Sequence, residues 1–498
     1  MIKQNNDFFS VLKSTSLFGA VQVYNILISI IRSKIVALWI GPTGMGIIGL
    51  LTSTIKVIGE LTTLGLSTTA VREIALSKEK DEAQKLKETV STIKKVVWFT
   101  GLLGVMVTLV ASSWLSYLAF DNYDYTLAFV WISLSLLFNQ LSAGQLALLQ
   151  GFRRLKLLAK TNLLGNFIAL IVSLPLYYVF RIDAIVPVIL SSSLIALIIS
   201  WVYSKKLKLE SAKISNYKAY SRAKGMLKLG FMLSLSSTIS LISAYIFQIY
   251  LSKNGGVEIV GYYLAGFMIL NSYVGMVFNA MRTDYFPKLS GIINNLDKVK
   301  KTVSEQAIVA LLLIGPLIVG LLIFLPIVVK LLYSNEFLII TGFISWAILG
   351  MLFKTLSWSM GYVILAKGDS KVFIKTAIFF NSLLLGMNIM GYHFHGLDGL
   401  GISFLIYYII HFLGIKIITV RRYKLDLDHS ITGIFIILML LTTASFFAIK
   451  IDDFTIRTIS FLILILLTVG YSIYQLNARV GLLSMIRSIT KKSDDKNT

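Results

Sequence analysis

The chain has 498 residues, 56% of them hydrophobic and only 14% charged, with a mean hydropathy of +0.79, which excludes an ordinary soluble globular protein and describes a polytopic membrane protein. A net charge of +23 would suit a nucleic-acid partner, but Lys and Arg fall in short runs between apolar segments, so the pattern is topological and no nucleic acid is expected. The lack of cysteine excludes a disulfide framework, a thiol nucleophile and a thiolate metal site.

Lys3 and Lys13 precede an apolar run too long for a signal-peptide core, so a retained first span is expected. The first two apolar segments, Ser16–Ile40 and Met45–Val71, are joined by a predicted turn, Gly41-Pro42-Thr43-Gly44. Each exceeds the roughly 20 residues needed to cross a bilayer. Yet the first holds Arg32 and Lys34, and the second Lys56 and Glu60. Polar residues form stripes at steps of three and four: Gln22, Asn25, Ser29 and Arg32, then Thr52, Lys56, Glu60, Thr63 and Ser67. Each set therefore lies on one helix face. Ionisable groups at membrane depth mark a water-filled path or a substrate site.

Farther along, the hydropathy pattern predicts about fourteen spans in all: roughly 15–40, 45–71, 93–116, 125–150, 157–180, 185–203, 226–251, 257–281, 303–333, 337–366, 372–392, 399–420, 430–449 and 455–477. The mixed-charge segment between Arg72 and Lys95 is expected to form a short surface helix. Basic residues concentrate on alternate connections, including Arg153-Arg154-Leu155-Lys156, Lys205–Lys228, Arg282–Lys301 and Arg421-Arg422-Tyr423-Lys424. The positive-inside rule thus places both termini in the cytoplasm.

The chain also repeats itself at an offset of about 215 residues. Leu137-Phe138 recurs as Leu352-Phe353, Lys160-Thr161 as Lys375-Thr376, and Asn166 as Asn381. A repeat covering six spans keeps both copies in the same orientation, so the predicted symmetry is parallel, about an axis along the membrane normal. The expected organisation is an N-lobe at 15–203, a basic cytoplasmic linker at 204–225 and a C-lobe at 226–425. Two extra spans at 430–477 and a cytoplasmic tail at 478–498 complete it. At this offset Lys56 meets Asn271, Glu60 meets Gly275, and Asn139 meets Lys354.

Arg32 and Lys56 are the expected ligands of an anionic, phosphate-bearing group, because Arg presents a planar fork of donors and Lys a point charge. At 1.5 Å per residue they lie about 12 and 18 Å from the connecting turn, which is core depth. The competing reading makes Lys56 and Glu60 a neutralised i,i+4 pair and lets Lys34 snorkel to the surface. Glu60 is a candidate for proton coupling or charge pairing. Lys354 is a further candidate for the cavity wall, and Arg282 and Asp284 for a gate. Gln22, Asn25, Asn139, Gln145, Gln248 and Asn271 are candidates for sugar hydroxyls, against the plainer role of helix-to-helix hydrogen bonding. His393 and His395 lack carboxylate partners and do not suggest a metal site. No phosphate loop, nucleophile triad or paired carboxylates occur, so no catalytic residue, cofactor or metal is expected.

Gly261-Tyr262-Tyr263-Leu264-Ala265-Gly266 running to Asp284-Tyr285-Phe286-Pro287-Lys288-Leu289 resembles the eighth-span signature of Wzx-type flippases of the multidrug/oligosaccharidyl-lipid/polysaccharide (MOP) exporter superfamily. Leu38-Trp39-Ile40-Gly41-Pro42-Thr43-Gly44-Met45-Gly46 and Gly361-Tyr362-Val363-Ile364-Leu365-Ala366-Lys367-Gly368 resemble other parts of the same family. The resemblance implies an all-α integral membrane fold, two six-helix lobes in a V around a central cavity. It also implies translocation of undecaprenyl-diphosphate-linked oligosaccharide, such as O-antigen or enterobacterial common antigen repeat units, across a bacterial inner membrane. Lipid-linked oligosaccharide, the bilayer and polysaccharide polymerase machinery are the implied partners. By position, Arg32 and Lys56 match the cationic cavity residues thought to hold the diphosphate in this family. Many members have twelve spans, so two extra ones are a departure. The alternative on the same scaffold is a MATE-like multidrug/cation antiporter.

Overall fold

The structure, a computed structural model, describes residues 21, 24–79, 83–209, 212 and 214–480. Every regular element among them is helical. Ten stretches are long and apolar enough to cross a membrane, as expected where backbone groups must be satisfied within their own segment.

The chain opens with α1 (24–39) and α2 (Gly41–Thr63). The predicted four-residue turn between them is instead the first turn of α2. Pro42 lies where a helix's N–H groups lack partners anyway, so proline extends the helix rather than breaking it. The second predicted span also ends early. Leu64 and Gly65 both have positive φ (49° and 65°), and α3 (Leu66–Glu79) starts anew. Ser67, counted in the α2 stripe, therefore belongs to another helix. The charged Arg72–Lys95 segment is helical at both ends, finishing α3 and opening α4 (Ala83–Phe120).

After α5 (Thr126–Gly151) come α6 (Leu155–Phe180) and α7 (Ile185–Lys205), which double back through a 3-10 turn at Arg181–Ala184. Next are α8 (Asn216–Gly255), α9 (Val257–Met268), a π-helical turn at Ile269–Val274, and α10 (Met276–Ile292). Then follow α11 (Leu296–Leu332), α12 (Thr341–Ala366) and α13 (Ser370–Tyr423), with α14 (His429–Ala448) and α15 (Phe454–Val480) at the end. The repeat is visible in the elements themselves. α12 begins and ends 215 residues after α5, and α13 begins 215 after α6. Arg181 and Gly396, also 215 apart, both have positive φ (51° and 56°) and both lie where a helical pair reverses.

The chain divides into two compact units, one comprising residues up to Leu264 with Leu331–Glu336, the other Ala265–Lys330 with residues from Phe337 onward. In the first, α8 starts inside the segment predicted as a linker. Its Ala219 is buried, and Ala223 and Met226 bury against Leu66, Ala70 and Ile74 of α3 and Val90 and Ile93 of α4. Arg222 pairs with Glu88, and the Lys95 amine donates to the Ile214 carbonyl at 2.8 Å. This basic stretch is thus docked, because its alanines repeat at helical spacing among the charges.

Small residues set how α2 packs in this unit. A β-carbon on Gly46 would overlap the Val257 carbonyl oxygen, and one on Gly261 would overlap that of Pro42. Lower down, Thr54 donates to the Tyr245 hydroxyl at 2.6 Å, and Gly65 and Gly230 meet backbone to backbone. In the second unit, α11 turns Val303, Ala307, Leu311, Ile314, Ile318 and Leu322 fully inward, three or four residues apart. Val303 also joins a cluster with Tyr285, Leu289, Met360, Val363, Phe380 and Tyr407.

Two outcomes follow from these contacts. Gly261→Ala should cost about 1–3 kcal/mol through overpacking against rigid backbone, seen as a lower melting temperature in detergent. Gly49→Ala should cost less, because its neighbour is the movable end of Leu264. At the start of α13, Asp369 caps Val372 N–H (3.2 Å) and accepts from Arg422 (2.8 Å) and Tyr423 (3.2 Å). The Arg422 hydrogen bond, then the Val372 one, holds its carboxyl below the usual aspartate range. A lowered folded pKa gives stability that is present at neutral pH and lost as pH falls through that value. Melts from pH 7 to 3 should therefore show wild type and Asp369→Asn converging at acid pH.

Candidate functional site

The α1 stripe faces α6. Asn25 Oδ1 accepts from Asn166 Nδ2 at 2.9 Å, and Arg32 lies close enough to Tyr177 for the two to interact electrostatically. Trp39 stacks edge-on against Tyr178 at 5.6 Å. Arg32 is half-buried, and its Nε is enclosed without a hydrogen-bond partner. No carboxylate pairs with it among the described residues. Gln22 lies outside the described residues.

Lys34 has a partner within the protein. Its amine donates to the Tyr333 carbonyl at 2.6 Å, tying α1 to the segment that follows α11.

On α2, Lys56 is exposed and Glu60 half-buried. No ion pair joins them among the described residues, so the neutralised i,i+4 reading fails. Two exposed or half-exposed groups one turn apart gain little from pairing. Since α2 begins at Gly41, Lys56 lies about 10 Å from its far end, measured at 1.5 Å per residue to Thr63.

The second unit holds a more enclosed cation. Lys354, on α12, donates to Asn271 Oδ1 at 2.9 Å. Its Nζ is 5.6 Å from the Phe278 ring, 5.3 Å from Tyr408 and 6.0 Å from Phe404. Asn271 sits in the π-helical turn, a distortion frequent at functional sites. Aromatic faces attract an ammonium by about 0.5–2 kcal/mol each, and a neutral amide oxygen supplies one hydrogen bond. Neither cancels the charge. The amine is solvated by dipoles and still able to attract an anion.

The two repeat copies use the same residue types in exchanged positions. Lys56 and Asn139 in the first copy correspond to Asn271 and Lys354 in the second. In the second, Asn and Lys are hydrogen-bonded; in the first, both are exposed.

The remaining expectations divide. Gln145 accepts from Ser204 between α5 and α7, which is the plainer helix-to-helix role. Gln248 is buried with Oε1 lacking a partner. Asn139 is exposed, free to meet a ligand. Arg282 and Asp284 are both exposed on α10 and form no ion pair with each other, so the side chains expected to gate are not bonded together.

His411 was missed from sequence. It lies on α13 against Phe380 (4.4 Å) and Tyr407 (5.6 Å), near enough to Lys354 to feel its charge, with Nδ1 buried and unpartnered. The clue was a lone histidine one helical turn from Tyr407 and Tyr408, inside an apolar span.

A family model described as "Polysaccharide biosynthesis protein" matches residues 11–293, more than half of the chain. The lipid III flippase of Escherichia coli is 23% identical over 409 residues, covering 81% of this chain and 96% of that one. Among solved structures, lipid II flippase MurJ in an inward closed conformation aligns with a TM-score of 0.64 at 15% identity, over 93% of this chain and 99% of that one. An inward-facing multidrug resistance MATE family transporter of the MOP superfamily gives 0.63 at 15% identity, over 83% and 95%. The fold is therefore that of multi-pass MOP-type transporters.

Replacing Asn271 separates holding Lys354 in place from leaving it charged. Asn271→Leu removes the acceptor of an enclosed amine and should cost about 1–3 kcal/mol, read as a lower melting temperature. Asn271→Asp should melt no lower than wild type, because a carboxylate pairs with the ammonium, yet should bind anionic head groups less well.

Proposed function

The chain belongs to the polysaccharide biosynthesis protein family, and from that premise we propose that it flips undecaprenyl-diphosphate-linked oligosaccharide repeat units from the cytoplasmic to the periplasmic leaflet. The product feeds O-antigen or another surface polysaccharide. The protein is a multi-pass flippase of the MOP superfamily acting on lipid-linked oligosaccharide, in keeping with its relatives. It works as a transporter rather than an enzyme, in a bacterial inner membrane, with both termini cytoplasmic and polymerase machinery downstream.

One observation supports the head-group assignment above the others. Among the described residues each unit holds a cation inside apolar helices without a carboxylate partner, Arg32 in the first and Lys354 in the second. A charged side chain at the centre of a membrane helix costs about 2.5–3.5 kcal/mol on insertion scales. An internal carboxylate would offset that cost. Leaving it out suits a site whose counter-charge arrives with the substrate, and a diphosphate brings it. Arg32 offers a fork to phosphate oxygens, Lys354 a point charge. Lys56, exposed on α2, serves the approach to the site, and Asn139 the sugar.

Translocation proceeds by alternating access of the two six-span lobes, with the prenyl chain left in lipid. An inside-negative potential assists outward movement of the anion by about 2.3 kcal/mol per charge per 100 mV. Glu60, half-buried and without a side-chain partner, is the group on which a cation antiporter would rest. That second reading requires carboxylates to dominate the interior. Among the described residues the half-buried cations Arg32 and Lys354 stand against Glu60 alone on these helices.

The decisive test is complementation of a flippase-deficient strain, with membrane abundance checked in parallel. Arg32→Gln and Lys354→Gln should each lower surface polysaccharide about tenfold or more, since a charge-assisted hydrogen bond contributes about 1.5–3 kcal/mol. Lys56→Gln should have the smaller effect. Wild-type polysaccharide from the Arg32→Gln/Lys354→Gln double variant would end the proposal.

A further inference from the structure

A cavity of about 550 Å³ opens in the second unit where the end of α10, the start of α11 and the end of α15 converge. Four charges line it: Asp284 and Lys288 from α10, Glu305 from α11 and Arg479 from α15. The signs balance. Yet no two of the four form an ion pair among the described residues, and Arg479 spends one N–H on Gln475 of its own helix. Asp284 and Lys288 are four residues apart on one helix face, and both line the cavity. Within the same cavity the Gln306 side-chain N–H₂ group is buried and finds no acceptor. Opposite charges held apart around an enclosed donor form a receptor for something carrying both signs.

Position narrows the class. The cavity lies at the basic-loop end of the helices, beside Arg282–Lys301, where a bilayer's head groups begin. From it, α15 runs upward with Leu466, Leu467, Ile473 and Tyr474 exposed, an apolar track suited to acyl chains. Leu476 stands in the cavity wall at the foot of that track. A purely anionic head group would meet two carboxylates there, and a purely cationic one would meet Lys288 and Arg479.

We infer that this cleft seats a zwitterionic phospholipid head group of the phosphatidylethanolamine type. Its phosphate accepts from Lys288, Arg479 and the Gln306 amide, and its ammonium donates to Asp284 and Glu305. Phosphate recognition by a basic side chain and carboxylate recognition of an ammonium are both charge-assisted hydrogen bonds. The seat gives α15 a purpose. It brings the arginine that completes the phosphate side, so the last two spans hold a structural lipid. This assignment needs the helices to span a membrane and does not depend on what is flipped.

The test is native mass spectrometry of the full-length protein from detergent, titrated with phosphatidylethanolamine or phosphatidylglycerol. Wild type should retain the ethanolamine lipid at least about fivefold better, a difference within the reach of one charge-assisted hydrogen bond. Lys288→Gln/Arg479→Gln should remove that retention. Asp284→Asn/Glu305→Gln should reverse the preference toward phosphatidylglycerol. All four side chains are exposed, and a lipid-free melt verifies that the variants fold. Equal or better retention of phosphatidylglycerol by wild type overturns the assignment. So does a preference that neither double variant changes.

Discussion

Hydrocarbon offers no water to a polar group, so a membrane protein must satisfy its backbone within its own helices and account for every charge it buries. Nearly all of this chain obeys. Serine and threonine hydroxyls return their protons to carbonyls one turn back, as Thr52, Thr92, Thr108 and Thr355 do. Some charges are capped or paired, as Asp369 is with Arg422 and Glu88 with Arg222. Against that background Arg32 and Lys354 stand out, because their neighbours are an aromatic hydroxyl, an amide and ring faces. Among the described residues neither has a carboxylate partner, and the proposed head-group site rests on that feature.

The same economy governs helix packing. With no hydrophobic gain from excluding lipid, helices associate through close van der Waals fit, which small residues permit. Along α2 this fit is made at both ends, by Gly46 and Gly261 near its start and by Gly65 and Gly230 near its finish. The Thr54–Tyr245 hydrogen bond lies between them. α2 is therefore positioned by backbone rather than by bulky side chains. On another face Lys56 is exposed and Glu60 half-buried.

The two repeat copies share a frame and differ within it. α5 and α12 share length and offset, and both α6 and α13 reverse at a residue of positive φ. Within that frame a lysine and an asparagine have traded places. On α2 the lysine is exposed. On α12 it is enclosed by Phe278, Phe404 and Tyr408 and meets an asparagine displaced by the π-helical turn. One copy thus presents its cation to the surroundings and the other shelters it.

Much was legible in the sequence, because hydropathy, helical period and repeat offset are local properties, each written within a window of a few dozen residues. Composition determined the all-helical membrane class. The 215-residue offset determined which helices correspond, and the stripes put Asn25 and Arg32 on one face of α1. The failures were of another kind. Gly41–Gly44 reads as a turn by composition, but proline is at home in the first turn of a helix. The basic linker hid alanines that dock because α3 and α4 happen to face them. The partners of Lys34 and Lys354 lie 299 and 83 residues away, and His411 gains meaning only from the rings and the amine gathered around it. Whether a charge is paired, sheltered or free depends on residues distant in the chain, and only the tertiary structure could bring them together.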